Sequence, residues 1–398
     1  MSPPNALQIG MASFEVHAGG LDRYYFELLR AFENDGISVR GLVTGNAAAP
    51  SGDPNVGIFA DNRDLLLLKW LKMRRVAGPL IDSSDLVVSH FAPHTFPIVD
   101  RLKGKPLVVH FHGPWAAEGD VEGRAAYRTA LKRRIERAVY GAAARVIVLS
   151  DAFGEIVERD YGVAPNNIRV IPGGVDVARF EPLASKTQMR ERLGWPIDRP
   201  TVVSVRRLVQ AKGLENLIRA AVLLRERIPN IFIAIGGTGP LAETLAASIV
   251  ELGLQNTVRM LGRISEDDLP SVYGAADLFV VPTVALEGFG LVVVEALACG
   301  TPVLVTPVGG LPSVVRALEP GLILESAQPQ HLANGIGAAL AGTLPLPSAK
   351  RCVAYARNFS WSAISRLVSD VYREVAAPHA LDAGDTNLRI KAPFELVR

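Results

Sequence analysis

This chain predicts an α/β fold of two doubly wound, mostly parallel domains, and three observations carry that reading. Short apolar runs alternate with longer amphipathic segments from end to end, the pattern of strand–helix units that build a parallel sheet. The 398 residues exceed a single domain of roughly 100–200 residues. A break carrying Pro182, Pro196 and Pro200 interrupts the alternation near its middle, where few contacts are expected to cross.

The first series of strands is expected at 7–11, 39–43, 86–89, 107–111, 146–149 and 170–171, each a short β-branched or leucine-rich run bounded by polar residues. The second is expected at 201–205, 231–235, 258–261, 278–281, 303–305 and 322–324. The boundary falls near residue 183, giving an N-terminal domain over 1–182 and a C-terminal one over 183–360, with a short polar helix at 186–193 just past it. Trp361, Ile364, Leu367, Val368, Val371 and Tyr372 recur at helical spacing up to Pro378. The tail over 378–398 is weakly patterned and is expected to be loosely held.

Composition narrows the function. Lys plus Arg number 42 against 40 Asp plus Glu, a net charge of +2, whereas a protein that neutralises many phosphates carries a larger basic excess. Nucleic acid is not the expected partner. Cys299 and Cys352 are the two cysteines, without C-x-x-C or a Cys/His cluster at ligand spacing, so neither a disulfide framework nor a zinc site is expected. Reduced thiols, an N-terminus without a basic and then apolar leader, and no run of about 18 apolar residues point to a cytoplasmic chain that does not span a membrane.

Glycine-rich turns at strand ends carry the chemistry. Gly19-Gly20 precedes a helix with apolar Leu21, Tyr25, Leu28 and Phe32; glycines there let backbone approach a ligand, and the free N–H groups of the first turn favour an anion. An ordinary tight turn explains them equally well. Gly236-Gly237-Thr238-Gly239-Pro240 fails as a dinucleotide fingerprint, because Ala242 stands where the third glycine belongs. Arg206-Arg207 and Lys212-Gly213 gather cations between a strand and a helix, which suits an oligophosphate as well as a solvated loop. The stretch Glu287-Gly288-Phe289-Gly290-Leu291 ends in a helix whose open N–H groups face the space beyond the strand ends. Glu295 follows one turn later among Leu291, Val292, Val293, Val294, Ala296 and Leu297, where an unpaired carboxylate would be costly.

Further motifs stand in order: His110-Phe-His112-Gly113, Ile171-Pro-Gly-Gly-Val-Asp176 with Phe180, Leu261-Gly262-Arg263, Ala296-Leu-Ala-Cys-Gly-Thr-Pro302 and Gly309-Gly310-Leu-Pro312. With those above, they resemble the retaining glycosyltransferases of family 4, which have the GT-B fold, over nearly the whole chain up to about residue 375. The resemblance implies two Rossmann-like domains facing across a cleft, with a nucleotide-sugar donor on the C-terminal domain and an acceptor on the N-terminal one. The last helix, about 361–377, would return to the N-terminal domain.

By position, Arg207 and Lys212 look like the diphosphate clamp, Glu295 like the ribose acceptor and Glu287 like the carboxylate facing the donor sugar. The amides of Phe289, Gly290 and Leu291 would hold sugar and phosphate, and backbone near Arg263 the base. Gly19 and Gly20 would close over the diphosphate, and His112 would hydrogen-bond the sugar. Retention would come from front-face attack with the leaving phosphate accepting the proton. No metal and no cofactor is then expected, and a UDP-sugar is favoured over a GDP-sugar. Glu266-Asp267-Asp268 is read as the acidic start of a helix and not as a metal motif. One position departs from the resemblance: Ser313 stands where the family usually carries Glu after Gly309-Gly310-Leu-Pro312, which puts local helix capping in doubt.

Two basic segments remain, 65–75 (LLLLKWLKMRR) and 124–137. A basic, Trp-bearing amphipathic helix can lie on an anionic bilayer, which would suit a lipid-linked acceptor in cell-envelope glycan synthesis and contact with the inner face of the membrane. Against this, the leucines at 65–68 and Leu71 would be ordinary core and the charges a solvated face. The alternatives to transfer onto such an acceptor are glycosylation of a small soluble metabolite, an epimerase or hydrolase on the same fold, and a non-catalytic sugar-nucleotide-binding subunit.

Overall fold

The computed structural model describes residues 4–13, 19–33, 35–46, 51, 53–116, 126–181 and 184–377. The chain divides into two compact units, Met1–Gly174 with Trp361–Arg398, and Val175–Ser360.

The first unit holds a seven-stranded sheet of β1 (Asn5–Ala12), β2 (Ser38–Gly45), β3 (Val56–Asp61), β4 (Leu86–Ser89), β5 (Leu107–Phe111), β6 (Arg145–Val148) and β7 (Ile168–Val170), in the order β3-β2-β1-β4-β5-β6-β7. The second holds β8 (Thr201–Val205), β9 (Phe232–Gly236), β10 (Val258–Gly262), β11 (Leu278–Val281) and β12 (Val303–Val305), in the order β10-β9-β8-β11-β12. The pairings are parallel. Strand order reverses beside β1 and beside β8, and in open α/β sheets ligands bind beyond the carboxyl ends of strands at such points.

The expected strands need two corrections. β3 lies outside them, because the edge strand is short, follows a polar turn and includes Gly57, so it lacks a central strand's apolar run. The strand expected at 322–324 is a 3₁₀ turn at Pro320–Leu322 followed by a single bridge from Ile323 to Val305; proline takes the first position of that turn and leaves too few residues for a ladder.

The division between units also lies upstream of residue 183. Val175 bridges to Ser360 and its N–H donates to the Phe359 carbonyl. Phe180 is buried against Tyr273, and Arg179 pairs with Glu266. Pro196 and Pro200 therefore lie within the second unit. The polar helix over Lys186–Leu193 forms as expected, closed by a capping box in which Ser185 and Gln188 satisfy each other's backbone.

Helix Trp361–Ala376 belongs to the first unit. Its apolar face, Trp361, Ile364, Val368, Val371, Tyr372 and Val375, shares a core with Tyr24, Leu28 and Phe32 of helix Gly20–Phe32 and with Leu86, Val88, Val108 and Ile147 of the sheet. Trp361 lies so close to Gly174 that a Cβ there would stand 2.4 Å from the indole. The tail at 378–398 and the residues 14–18 before Gly19 lie outside the described residues.

Candidate active site

In the second unit, the chain leaving β8 alternates sides as the strand did: Arg206 is buried, Arg207 exposed and Leu208 buried. Arg206 Nη2 bonds to Glu287 Oε2, and Lys212 Nζ donates to the same oxygen at 3.0 Å and to the Leu286 carbonyl at 3.3 Å. Thr283 Oγ1 adds a contact at 3.4 Å. Glu287 thus lies between two cations whose side chains are 5% and 10% exposed.

Burial pushes the Glu287 carboxyl up, but Arg206 and Lys212 outweigh it and bring its pKa down to about 2. Lys212 is pulled below its ordinary value by burial, which Glu287 opposes and the neighbouring arginines reinforce.

The backbone that presents Glu287 is tightly supported. Leu286 has φ +53, a left-handed conformation uncommon outside glycine that persists only where surrounding structure holds it. The Glu287 carbonyl accepts from Gly310 N at 2.9 Å, and a Cβ on Gly309 would lie 2.0 Å from that oxygen, so the sequence pair Gly309-Gly310 permits the close approach. Gly213 plays the same part against Pro282, whose oxygen a Cβ would meet at 1.9 Å.

Helix Leu291–Ala298 begins at Gly290, in a left-handed conformation, with no side-chain cap, so its first N–H groups stay available to a ligand. Phe289 is buried against Phe359. Glu295 is buried within this helix and accepts from Tyr273 Oη at 2.7 Å, which supplies the partner that its apolar surroundings demand. Arg263 follows β10 on an exposed stretch, where Gly237 N donates to the Gly262 carbonyl at 2.8 Å. Ser313 Oγ donates to the Gly310 carbonyl at 2.7 Å, so the helix Leu311–Val315 keeps a polar contact at its start without the glutamate. Glu266 and Asp268 precede helix Leu269–Gly274 and are engaged by Arg179 and Arg192.

The first unit's candidate residues cluster beyond β1, β4 and β5. Gly19 and Gly20 open helix Gly20–Phe32, and nothing lies within 4 Å of a Cβ placed on Gly20. His112 packs edge-on against Tyr24, with ring centroids 4.8 Å apart, and stacks with His90. His90 Nδ1 lies 3.2 Å from His112 Nε2, and its Nε2 lies 2.8 Å from Gln8 Oε1. Gln8 Nε2 donates to Tyr372 Oη, which lies 2.9 Å from His110 Nε2. Burial pushes His112 down to about 3 and, with help from their neighbours, His90 and His110 well below the ordinary imidazole value, so this cluster is neutral near pH 7.

The segment after His112 is anchored by Glu136, which accepts from Trp115 N at 2.8 Å, Ala116 N at 3.3 Å and Tyr161 Oη at 2.9 Å. Glu136 reads in the sequence as one acid in a basic surface run, yet it is fully buried and its pKa is raised by that burial.

The basic segment 65–75 becomes the start of helix Leu66–Asp82, which turns Met73, Ala77 and Ile81 inward. The core assignment of its leucines does not hold: Leu65, Leu67 and Leu71 are 80%, 66% and 60% exposed. Lys72 and Arg74 pair with Asp64 and Asp100. In the other basic segment, Arg124 and the Arg128 side chain lie outside the described residues, and Lys132 sits over Trp115 at 4.4 Å.

Sequence reasoning named Arg206 only as one of a group of cations and missed its burial against Glu287, as it missed Thr283, Tyr273 and His90. For Arg206 a signal existed: period-two alternation carried past the strand end puts Arg206 on the same side as Leu208 and Arg207 on the other.

The model of the family described as Glycosyltransferase Family 4 matches residues 18–179, and that described as Glycosyl transferases group 1 matches 185–359. Similar proteins include D-inositol 3-phosphate glycosyltransferase 1 of Catenulispora acidiphila, 31% identical over 89% of this chain and 91% of that protein. The D-inositol 3-phosphate glycosyltransferase of Salinispora arenicola is 34% identical over 77% of this chain and 72% of its own length. That of Salinispora tropica is 36% identical over 58% of this chain, which spans about half of that relative, 51%.

Among solved structures, Anabaena Alr3699/HepE in complex with UDP and glucose superposes with a TM-score of 0.77 at 22% identity, over 93% of this chain and 99% of that one. Sucrose-phosphate synthase from Thermosynechococcus elongatus gives 0.76 at 24%, over 94% and 99%. At such identities the likeness speaks to fold, and the sequence relatives to descent; together they place the chain in glycosyltransferase family 4, with the GT-B fold.

Proposed function

We propose that the protein moves a hexosyl unit from a nucleoside-diphosphate sugar to a hydroxyl acceptor with retention of configuration. The observation that carries this reading is the Glu287 carboxylate, kept ionised between Arg206 and Lys212 and followed closely by the uncapped helix start at Leu291.

In the proposed reaction the bond from the sugar to the diphosphate breaks, the acceptor oxygen bonds to the same carbon, and the acceptor's proton passes to the leaving phosphate. Negative charge then grows on the diphosphate, where fixed cations and free helix N–H groups stabilise it without reorganising. Lys212 and Arg207 take the diphosphate, Glu287 faces the sugar, Glu295 accepts from ribose, and the amides of Phe289, Gly290 and Leu291 complete the donor site, with backbone near Arg263 at the base. Within the first unit, Gly19 and Gly20 open a helix whose first N–H groups suit an anion, and His112 is an uncharged hydrogen-bonding group. The UDP and glucose of the Anabaena neighbour support a uridine donor.

The acceptor has two readings with separate support. The name shared by the relatives supports a small phosphorylated cyclitol. The exposed Leu65, Leu67 and Leu71 beside Lys69 and Arg75 support a lipid-linked acceptor at an anionic membrane surface.

Thermal shift against UDP, GDP, ADP and their common sugars tests the donor. A ligand at 100 times its Kd stabilises by about 2.7 kcal/mol, and Arg207→Ala and Glu295→Ala should weaken that shift. Transfer to an inositol phosphate, or to a lipid-linked sugar in vesicles, then separates the acceptors. If no nucleotide shifts the wild type, the donor reading fails.

A further inference from the structure

Arg206 was not among the residues that the family resemblance assigns, and the structure gives it the most conspicuous unsatisfied chemistry of the second unit. Its side chain is 5% exposed, yet Nη1 has no hydrogen-bond partner among the described residues. A buried, unmatched guanidinium N–H costs free energy that a native fold rarely leaves uncompensated. The surrounding charges point the same way: Arg206 and Lys212 share one carboxylate, Glu287, so the buried cluster carries one positive charge in excess. Buried charge is tolerated when paired, and neither Thr283 nor the Leu286 carbonyl supplies a second anion.

We propose that Arg206 is an anion-binding residue of the donor site: one arm of its guanidinium orients Glu287, and the other receives anionic oxygens of the donor itself. This rests on the nucleotide-sugar reading above. Two parts of a donor offer such oxygens, the diphosphate and a carboxylate on the sugar. Arg206 adjoins the carboxylate assigned to the sugar, so a nucleoside-diphosphate uronate is a substrate class that this arrangement accommodates and that a neutral sugar would leave half-matched. A guanidinium presents its N–H groups in a planar fork that matches such oxygens in pairs, which lysine cannot reproduce.

The test measures dissociation constants by calorimetry for wild type, Arg206→Gln, Arg206→Lys and the double variant Arg206→Gln/Glu287→Gln. Because the double variant removes both partners of the pair, it guards against a single variant that fails to fold. The probes are UDP, GDP and ADP, the nucleoside of whichever diphosphate binds, and that diphosphate joined to glucose and to glucuronate. Both the single and the double variant should weaken anion binding at least ten-fold while leaving the nucleoside unchanged, with Arg206→Lys in between.

A loss shared by the diphosphate and both sugars assigns Arg206 to the diphosphate; a loss confined to the glucuronate donor assigns it to the sugar carboxylate. Variants that bind every probe as the wild type does, or that lose nucleoside and diphosphate alike, overturn the proposal and leave the donor reading standing. A wild type that binds no nucleoside diphosphate overturns both.

Discussion

The two units build their candidate sites at equivalent points of similar sheets, beyond the carboxyl ends of strands next to a reversal of strand order, but with opposite electrostatics. The first gathers His90, His110 and His112 with Gln8, Tyr24 and Tyr372 into a buried cluster kept neutral by desolvation. The second buries Arg206, Lys212 and Glu287 and keeps them charged by pairing. Burial penalises charge in both places; the outcome depends on whether a counter-charge lies within hydrogen-bond distance. A neutral cluster suits hydrogen bonds to hydroxyls, and a charged one suits phosphate or carboxylate.

The largest consequence is a separation of the units in acid. The histidine pKa values are depressed in the fold, to about 3 for His112 and to about 4 for His94, which is buried outside that cluster with Nδ1 3.0 Å from the Gly10 carbonyl oxygen, so below about 6.5 the unfolded chain takes up protons that the folded one does not. Their contribution is therefore complete above about pH 6.5 and lost progressively as pH falls toward about 4 for His94 and about 3 for His112, by on the order of several kcal/mol in all. The depressed Glu287 pKa acts with the same sign but in a lower window, from about 4.5 down to about 2. Hydrogen exchange followed by peptide at pH 7, 6 and 5 should show the first unit losing protection at pH 5 while the second keeps it. Equal loss in both would remove the electrostatic distinction.

The next largest effect concerns the charged cluster. Glu287→Gln strands two buried cations, and breaking a buried pair from one side costs about 3–5 kcal/mol. Melting of the second unit should fall accordingly, with part of the loss recovered in Arg206→Gln/Glu287→Gln. Turnover should fall more than donor affinity. A Glu287→Gln protein as stable and as active as the wild type would show that the cluster is neither charged nor used as described.

In the neutral cluster, a single atom carries the corresponding test. Tyr372→Phe removes the hydroxyl that accepts from Gln8 Nε2 and lies 2.9 Å from His110 Nε2, leaving two buried polar groups short of a partner. A loss of about 1–3 kcal/mol is expected, read as a lower denaturant midpoint for the first unit with the second unaffected.

The difference between the clusters also explains how much the sequence revealed. The strand–helix alternation places β1, β4, β5, β8 and β11 within a residue or two, because buried parallel strands are continuous apolar runs. β3 escapes because an edge strand need not be one. Glu287, Glu295 and Lys212 sit on glycine-marked turns or in an apolar helix, where a charged residue is conspicuous. Arg206 and Arg207 are identical in type and adjacent, so only the alternation of sides distinguishes the buried one. His90, His110 and His112 come from two strand ends 20 residues and more apart, and their stacking follows from the β4–β5 register, in which Ser89 pairs with Val109. Pairing registers of this kind are long-range facts that local pattern does not encode.

The smallest effect on stability is expected where the first unit exposes apolar side chains without polar partners. Leu67 and Leu71 stand four residues apart on helix Leu66–Asp82, on one face, and each is at least 60% exposed. Replacing both with Gln removes little buried area, so stability should stay within about 0.5 kcal/mol of the wild type. Transfer of two leucines into a bilayer interface, by contrast, contributes in proportion to the apolar area removed from water, and Lys69 and Arg75 lie near enough in sequence to add attraction to anionic lipid. Co-sedimentation with phosphatidylglycerol vesicles at low salt should therefore fall several-fold in Leu67→Gln/Leu71→Gln while the melting curve is unchanged. Wild type that stays in the supernatant at low salt would leave the small soluble acceptor as the reading of the first unit. A double variant that unfolds would show that the leucines cover structure after all.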